Sequence, residues 1–211
     1  MKPTDARSRT RRATRQAISD AATQLFFERG FDNVTIDEIA AVAGVGRMTV
    51  FNHFPRKEDM FFDRDAEGRE ILRNTLRRLD LCVPPIEALH QLAHQLVAEE
   101  SRYLDFSEMG QAYIKTIEGS EPLKARARAI RDELAQVVAT ALVECVGQEA
   151  CDPDAHLAAE ILLATWGTAF IQAHRRFRRN RDPEEARGVF LAIVDRGTIA
   201  LKAAMVGTPY V

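Results

Sequence analysis

Apolar residues recur at spacings of three and four along almost the whole 211-residue chain, and no alternating apolar–polar run is bounded by Asn-Gly or Asp-Gly turns. That periodicity restricts the chain to an all-α fold. Nine helices or so are expected: an N-terminal three-helix head with a helix-turn-helix, followed by a larger helical-bundle body. Two starts are marked by an aspartate before a proline, Asp152-Pro153 and Asp182-Pro183, with the aspartate as cap and the proline in the first turn.

The first helix is expected over about residues 8–29, buried through Ile18, Ala22, Leu25 and Phe26 and stopped at Gly30. Thr35 then caps a second helix, Glu38 completes a capping box, and Val34 with Ile39 forms a hydrophobic staple. Ile36, Ile39, Ala40 and Ala43 face inward. Gly44 breaks the helix, Val45 plugs the turn, and a third helix runs from about Arg47 to Phe54 before Pro55. Val50 and Phe54, four apart, bury its inner side, which sends Met48, Thr49, Phe51 and Asn52 outward. A long connecting helix is expected from Lys57 through Leu79, carrying Met60, Phe61, Ile71, Leu72 and Leu76. Further helices follow at about 86–101, 106–119, 122–146, 153–179 and 183–206.

Charge divides the chain at the same place. Residues 1–57 carry ten Lys/Arg against six Asp/Glu, whereas residues 58–211 carry nineteen against twenty-five. A basic head suits a polyanion, because each phosphate neutralised releases condensed counterions. Three cysteines, Cys82, Cys145 and Cys151, are odd in number and show no CxxC spacing, so neither a disulfide framework nor a zinc site is indicated and a reducing cytoplasm fits them. No stretch reaches the roughly 18 apolar residues of a membrane span. The head is assigned to residues 1–57, with 1–12 as a flexible basic arm (Lys2, Arg7, Arg9, Arg11 and Arg12, with Arg15 beyond), and the body to 58–211.

The exposed row of the third helix has the chemistry of base reading. Arg47 can donate in bidentate fashion to guanine, Asn52 can pair with adenine, Thr49 offers a hydroxyl and a methyl, and Met48 can meet a thymine methyl. His53 and Lys57 can reach flanking phosphates, and Thr35 with the free amides of the second helix offers another phosphate seat. The segment TIDEIAAVAGVGRMTVFNHFPRKEDMF, residues 35–61, closely resembles the DNA-binding signature of the TetR/AcrR family, and AISDAATQLFFERGFDNVT, residues 17–35, resembles that family's first helix and connecting loop. The resemblance implies a homodimeric, ligand-responsive regulator, a repressor released from a palindromic operator by a small molecule. It places Thr35, Arg47, Met48, Thr49, Phe51, Asn52, His53 and Lys57 where family members touch DNA. Three positions depart from the pattern: Phe51 stands where tyrosine is common, Gly46 where a capping serine is usual, and Arg56 where a small polar cap is frequent.

Beyond residue 61 the resemblance fades. Trp166, Phe170 and His174 form an aromatic stripe that can line a cavity or simply pack, and Tyr113 is either another polar handle for a ligand or, by default, a buried tyrosine with a satisfied hydroxyl. The aromatic and aliphatic body suggests a lipophilic effector. By the same resemblance the last two helices, 153–179 and 183–206, pair with their symmetry mates to form the dimer. His90 and His94 sit one turn apart, a spacing metal sites use. No Cys or carboxylate nearby in sequence completes a tetrahedral set, and His90 falls in the apolar arc of Ile86, Leu89, Ala93 and Val97. The pair is therefore read as pocket-lining or hydrogen-bonded core histidine, with no metal and no cofactor. The run HRRFRRNR, residues 174–181, is read as arginines favouring a helix C-terminus. A helical enzyme with an auxiliary head lacks a GxSxG, an HExxH and a phosphate-cradling glycine loop. A DNA-binding protein controlled by a partner would show a fully packed body.

Overall fold

A computed structural model describes residues 3–79, 83–149 and 151–211. Lys2, Cys82 and the side chain of Arg7, singled out above, lie outside the described part. Among the described residues there are ten α-helices and no strand: α1 (Pro3–Arg29), α2 (Ile36–Val42), α3 (Arg47–His53), α4 (Glu58–Phe61), α5 (Asp65–Arg77), α6 (Pro85–Ala98), α7 (Glu108–Glu118), α8 (Glu121–Val146), α9 (Pro153–Asn180) and α10 (Pro183–Ala204). None of them is long and apolar enough to cross a membrane.

Two expectations are corrected. Helix α1 begins at Pro3 and not near residue 8, so its bounds take in most of the residues assigned to the arm. Pro3 suits a first turn, and between it and Gly30 there is no glycine or further proline to interrupt hydrogen bonding. The long helix expected from Lys57 to Leu79 is broken instead: α4 ends at Phe61, Phe62 leaves helical geometry at φ −99° and ψ 39°, and α5 starts at Asp65. Consecutive helical residues point about 100° apart, so an unbroken helix would spread Phe61, Phe62 and Asp63 around its circumference. The break lets all three pack within one unit. Phe61 and Phe62 lie edge to face at 5.2 Å, and the Asp63 carboxylate accepts the hydroxyl of buried Ser19.

The chain divides into two compact units. The first runs to Asp65 and takes in Ala112–Arg126; the second comprises Ala66–Gln111 and Ala127–Val211. The first unit therefore extends past residue 57 and recruits a distant segment. Its core is Ile18, Ala22, Leu25 and Phe26 of α1 with Phe31, Val34, Ile39, Ala40, Val50, Phe54, Met60, Phe61 and Leu123. Each large apolar side chain buried there contributes roughly 1.5–3 kcal/mol. The recruited segment is tied in by polar contacts as well: Ser120 Oγ donates to Asp32 at 2.8 Å, and Arg126 reaches Asp59 at 3.0 Å and Asp65 at 3.5 Å.

In the second unit α9 and α10 form the most extensive helix pair. Gly197 permits the approach, since a Cβ there would fall 2.1 Å from Thr165 Cγ2. Both Asp-Pro starts cap as expected, with Asp152 accepting from the Asp154 amide and Asp182 from the amides of Glu184 and Glu185. The arginines of the 174–181 run end α9, and Arg176 and Arg181 pair there with Glu185 and Glu108. The C-terminal tail closes the unit: Tyr210 is fully buried, its hydroxyl donates to Asp152, and its carbonyl accepts from the Ile86 amide at 3.2 Å. Cys145 and Cys151 are free thiols.

Candidate nucleic-acid interface

The geometry of α3 follows from how the chain enters it. Helix α2 starts on the full capping box: Thr35 Oγ1 accepts from the Glu38 amide at 3.3 Å, and Glu38 Oε2 accepts from the Thr35 amide at 2.8 Å. Those bonds, with the Arg29 guanidinium 2.8 Å away, hold the Glu38 carboxyl at about 2. At the other end Gly44 adopts a positive φ of 66°, which an L side chain rarely takes, and the Val45 amide closes the turn onto the Ala40 carbonyl at 3.0 Å. Gly46 then caps α3 through its backbone alone.

Within α3 the division of faces is sharp. Val50 and the adjoining Phe54 are completely buried, while Met48 is 70% exposed and Phe51 37%. Arg47 and Asn52 are exposed, and Thr49 and His53 are half-buried on the flanks. Exposed Val42, Met48 and Phe51 all belong to the α2–α3 pair, and large apolar side chains left in water beside cations mark an interaction surface. Arg47 pairs with Asp37 at 2.6 Å, both side chains being more than half exposed. A pair of that kind is worth at most about 1 kcal/mol, so a phosphate or guanine can displace the carboxylate.

Two cations do work that sequence spacing did not disclose. Arg15 lies 3.9 Å from the centroid of the Phe54 ring, and its guanidinium donates to the His53 carbonyl at 2.6 Å, bracing α1 against the end of α3. Lys57, by contrast, turns inward. Its ammonium donates to the carbonyls of Phe31 at 2.8 Å and Val34 at 3.0 Å and sits 4.2 Å from the Phe31 ring centroid. Burial pushes the Lys57 ammonium below its ordinary value despite the nearby Asp32 and Glu58 charges. The His53 imidazole is likewise lowered, by burial first and then by the charges of Arg11 and Arg15. The structure thus gathers Arg47, Met48, Thr49, Phe51, Asn52 and His53 on one helix, sets Thr35 at the start of α2, and gives Lys57 a partner elsewhere.

The ligand candidates are divided between the two units. Tyr113 belongs to the first unit, where its ring stacks on Phe61 at 4.5 Å and 13° and burial raises its hydroxyl pKa well above the usual value. The other four are in the second unit. Phe170 and His174 pack edge to face at 4.4 Å beside Phe106, and Gln111 Nε2 donates to His174 Nδ1 at 2.8 Å and to its carbonyl at 3.1 Å. Trp166 joins the same core, and its indole N–H is buried without an acceptor. His90 instead meets His94 and Asp195. A cavity of about 520 Å³ in this unit is lined by Leu76, Pro85, Ala141 and Cys145 among others, and by none of the five candidates.

Residues 18–63 match the sequence profile described as bacterial regulatory proteins, tetR family. The chain is 33% identical over 166 residues to the HTH-type transcriptional repressor BepR of Brucella suis biovar 1, covering 73% of this chain and 77% of that protein. It is 26% identical over 207 residues to the HTH-type transcriptional repressor DhaR of Mycobacterium sp. GP1, covering 87% and 91%. Among solved structures, Thermus thermophilus FadR, a TetR-family transcriptional repressor in complex with lauroyl-CoA, shares the fold with a TM-score of 0.55 at 24% identity, over 91% of this chain and 95% of that one.

Proposed function

The chain belongs to the TetR family of bacterial regulatory proteins, DNA-binding transcriptional regulators that respond to ligands, and from that premise we propose that it is a cytoplasmic homodimeric repressor, acting by binding and not by catalysis. The observation that carries the reading is the division of α3, whose inner side is fully buried while Arg47, Met48, Phe51 and Asn52 stand in solvent. A helix so mounted presents its free side to the major groove. In this reading Arg47 and Asn52 read base edges, Thr49 and Met48 meet thymine methyls, and Thr35 and His53 flank them at phosphates. Lys57 contributes indirectly by holding the loop that leads into α2.

Residues 1–57, with the later segments packed on them, form the DNA-binding part, and the remainder binds the effector and the twin subunit. Support for dimerisation through α9 and α10 comes from apolar side chains left in water on both: Leu157 and Ile171 share one face of α9, and Ile199 on α10 is 70% exposed. Two half-sites of a palindrome lie about 34–36 Å apart, so an effector that alters the head spacing by a few ångströms prevents simultaneous docking. Coupling of about 1–3 kcal/mol between effector and operator changes affinity about 5–150-fold. For the effector, Trp166 is the best-supported contact of the five candidates. Its buried, unpaired N–H costs about 1–3 kcal/mol, a cost that a lipophilic molecule bearing one hydrogen-bond acceptor removes.

Selection of bound sequences from random duplex DNA, followed by a screen for compounds that release the protein from the winning site, tests this. The expected result is a palindrome with half-sites one turn apart, and its release by a small lipophilic compound. A selection that enriches no sequence would refute the operator reading.

A further inference from the structure

The fold supplies what the sequence around His90 and His94 lacks. These residues stand four apart on α6, with ring centroids 4.7 Å apart at 76°, and both present Nε2 to the same oxygen of Asp195 on α10, each at 2.7 Å. Asp195 is 101 residues beyond His94 in the chain. The three donor atoms all lie within 4.8 Å of one another. Burial raises the Asp195 carboxyl, but the hydrogen bonds from His90 and His94 outweigh it and hold the group ionised below the ordinary aspartate range.

Behind this trio sits a further carboxylate. Glu87 Oε1 is 3.6 Å from His90 Nδ1, and Glu87 is itself fixed by Lys202 of α10 and by Gln91 at 3.3 Å. An imidazole that binds through Nε2 must carry its proton on Nδ1, and Glu87 is the carboxylate facing that atom, at 3.6 Å, just beyond hydrogen-bond length. Closing that gap by a few tenths of an ångström would complete the carboxylate–histidine–metal arrangement that raises ligand basicity.

We propose that His90, His94 and Asp195 form a binding site for a first-row divalent transition cation, zinc being the best fit, with at least one coordination position open. Two imidazoles and one carboxylate suit zinc better than calcium or magnesium, which take oxygen ligands. Zinc–ligand distances of about 2.0–2.2 Å require the donors to separate slightly so that the ion replaces the shared hydrogen bonds. The side chains can yield, because those of His94 and Asp195 are 42% and 46% exposed, which also provides the entry path. Bound there, the ion staples α6 to α10. Its open position takes water or a donor atom of an effector.

The test uses the full chain, stripped of metal with a chelator and titrated with Zn²⁺ by calorimetry and with Co²⁺ by absorption. One ion per chain is expected, with tetrahedral or five-coordinate visible bands from Co²⁺. Zinc at a hundredfold excess over its Kd should raise the melting temperature by about 5–10 °C. Asp195→Asn, which keeps the side-chain shape, and His94→Ala should each weaken zinc binding at least tenfold, and Glu87→Gln about 10-fold or more. Circular dichroism of the metal-free variants confirms that they fold. Zinc uptake unchanged in the His90→Ala/His94→Ala variant, a strong thiolate-to-cobalt band, or no uptake at micromolar zinc would each overturn the assignment. None of these readouts involves DNA, so they are independent of the operator reading.

Discussion

Lys57 separates two ways in which a cation can serve a DNA-binding head, and Lys57→Met tells them apart. Methionine keeps the apolar stem and removes only the ammonium, which donates to the Phe31 and Val34 carbonyls at 2.8 and 3.0 Å and sits over the Phe31 ring. Hydrogen bonds from a charged group contribute about 1.5–3 kcal/mol each, but both carbonyls can regain water at this half-buried site. A net loss of about 2–3 kcal/mol is therefore expected for the pair. In urea, followed by far-ultraviolet circular dichroism, that lowers the midpoint by about 1 M or more at an m value of about 2 kcal/mol/M. Operator binding measured across salt concentrations supplies the second reading. A phosphate contact contributes about 0.9 to the slope of log K against log salt. Since the ammonium is engaged within the protein, the slope should stay unchanged, with affinity reduced modestly through a looser lead into α2. A slope reduced by nearly one unit with the urea midpoint unmoved would refute the reasoning and return Lys57 to the DNA backbone.

Four further outcomes follow from the geometry. Gly197→Ala places a methyl 2.1 Å from Thr165 Cγ2, and overpacking of about 1–3 kcal/mol outweighs the roughly 1 kcal/mol gain in helix propensity; fluorescence of the single tryptophan, Trp166, should show net destabilisation that Thr165→Ala relieves, and a stabilised Gly197→Ala would contradict it. Thr35→Ala removes the α2 cap at about 1 kcal/mol, and the Glu38 carboxyl should climb from about 2 toward 4.5 in a proton-resonance titration; in the intact protein its depressed value gives a contribution fully present above 4.5 and lost as pH falls toward 2. His53 titrates below 6.5 in the free protein, so its neutral form favours folding above that value and the advantage fades as pH falls below it; a phosphate beside it should raise the midpoint in the operator complex, whereas an unmoved midpoint would remove His53 from the interface. Asn52→Ala with Thr49→Ala should relax sequence preference with melting nearly unchanged, and equal loss of specific and nonspecific binding would count against base reading.

The parts of this molecule that were legible in the sequence are those enforced within one or two turns of chain. Thr35 and Glu38 are three residues apart and cap one helix; Asp152-Pro153 and Asp182-Pro183 are adjacent and start two others. The exposed row of α3 was legible for the same reason, since burial of Val50 and Phe54 decides by helical geometry alone that Met48 and Asn52 face away. Periodicity reports which side of a helix is buried and says nothing of what it is buried against. The break at Phe62 answers to Ser19, forty-three residues upstream of Asp63's own neighbour in sequence, and carries no glycine or proline to announce it. Tyr113 reads either as a polar handle or as a buried tyrosine until Phe61 is found stacked on it, and Lys57 as a phosphate contact until the Phe31 and Val34 carbonyls are found beneath it. Asp195 is the strongest case. On α10 it is one of three acidic residues; only the fold brings it to His90 and His94, and with it a pair of histidines becomes a candidate set of three ligands. The division is physical: the exposed face of α3 is set by constraints within one or two turns of chain, whereas His90, His94 and Asp195 come from two helices far apart in sequence, where no local pattern records their meeting.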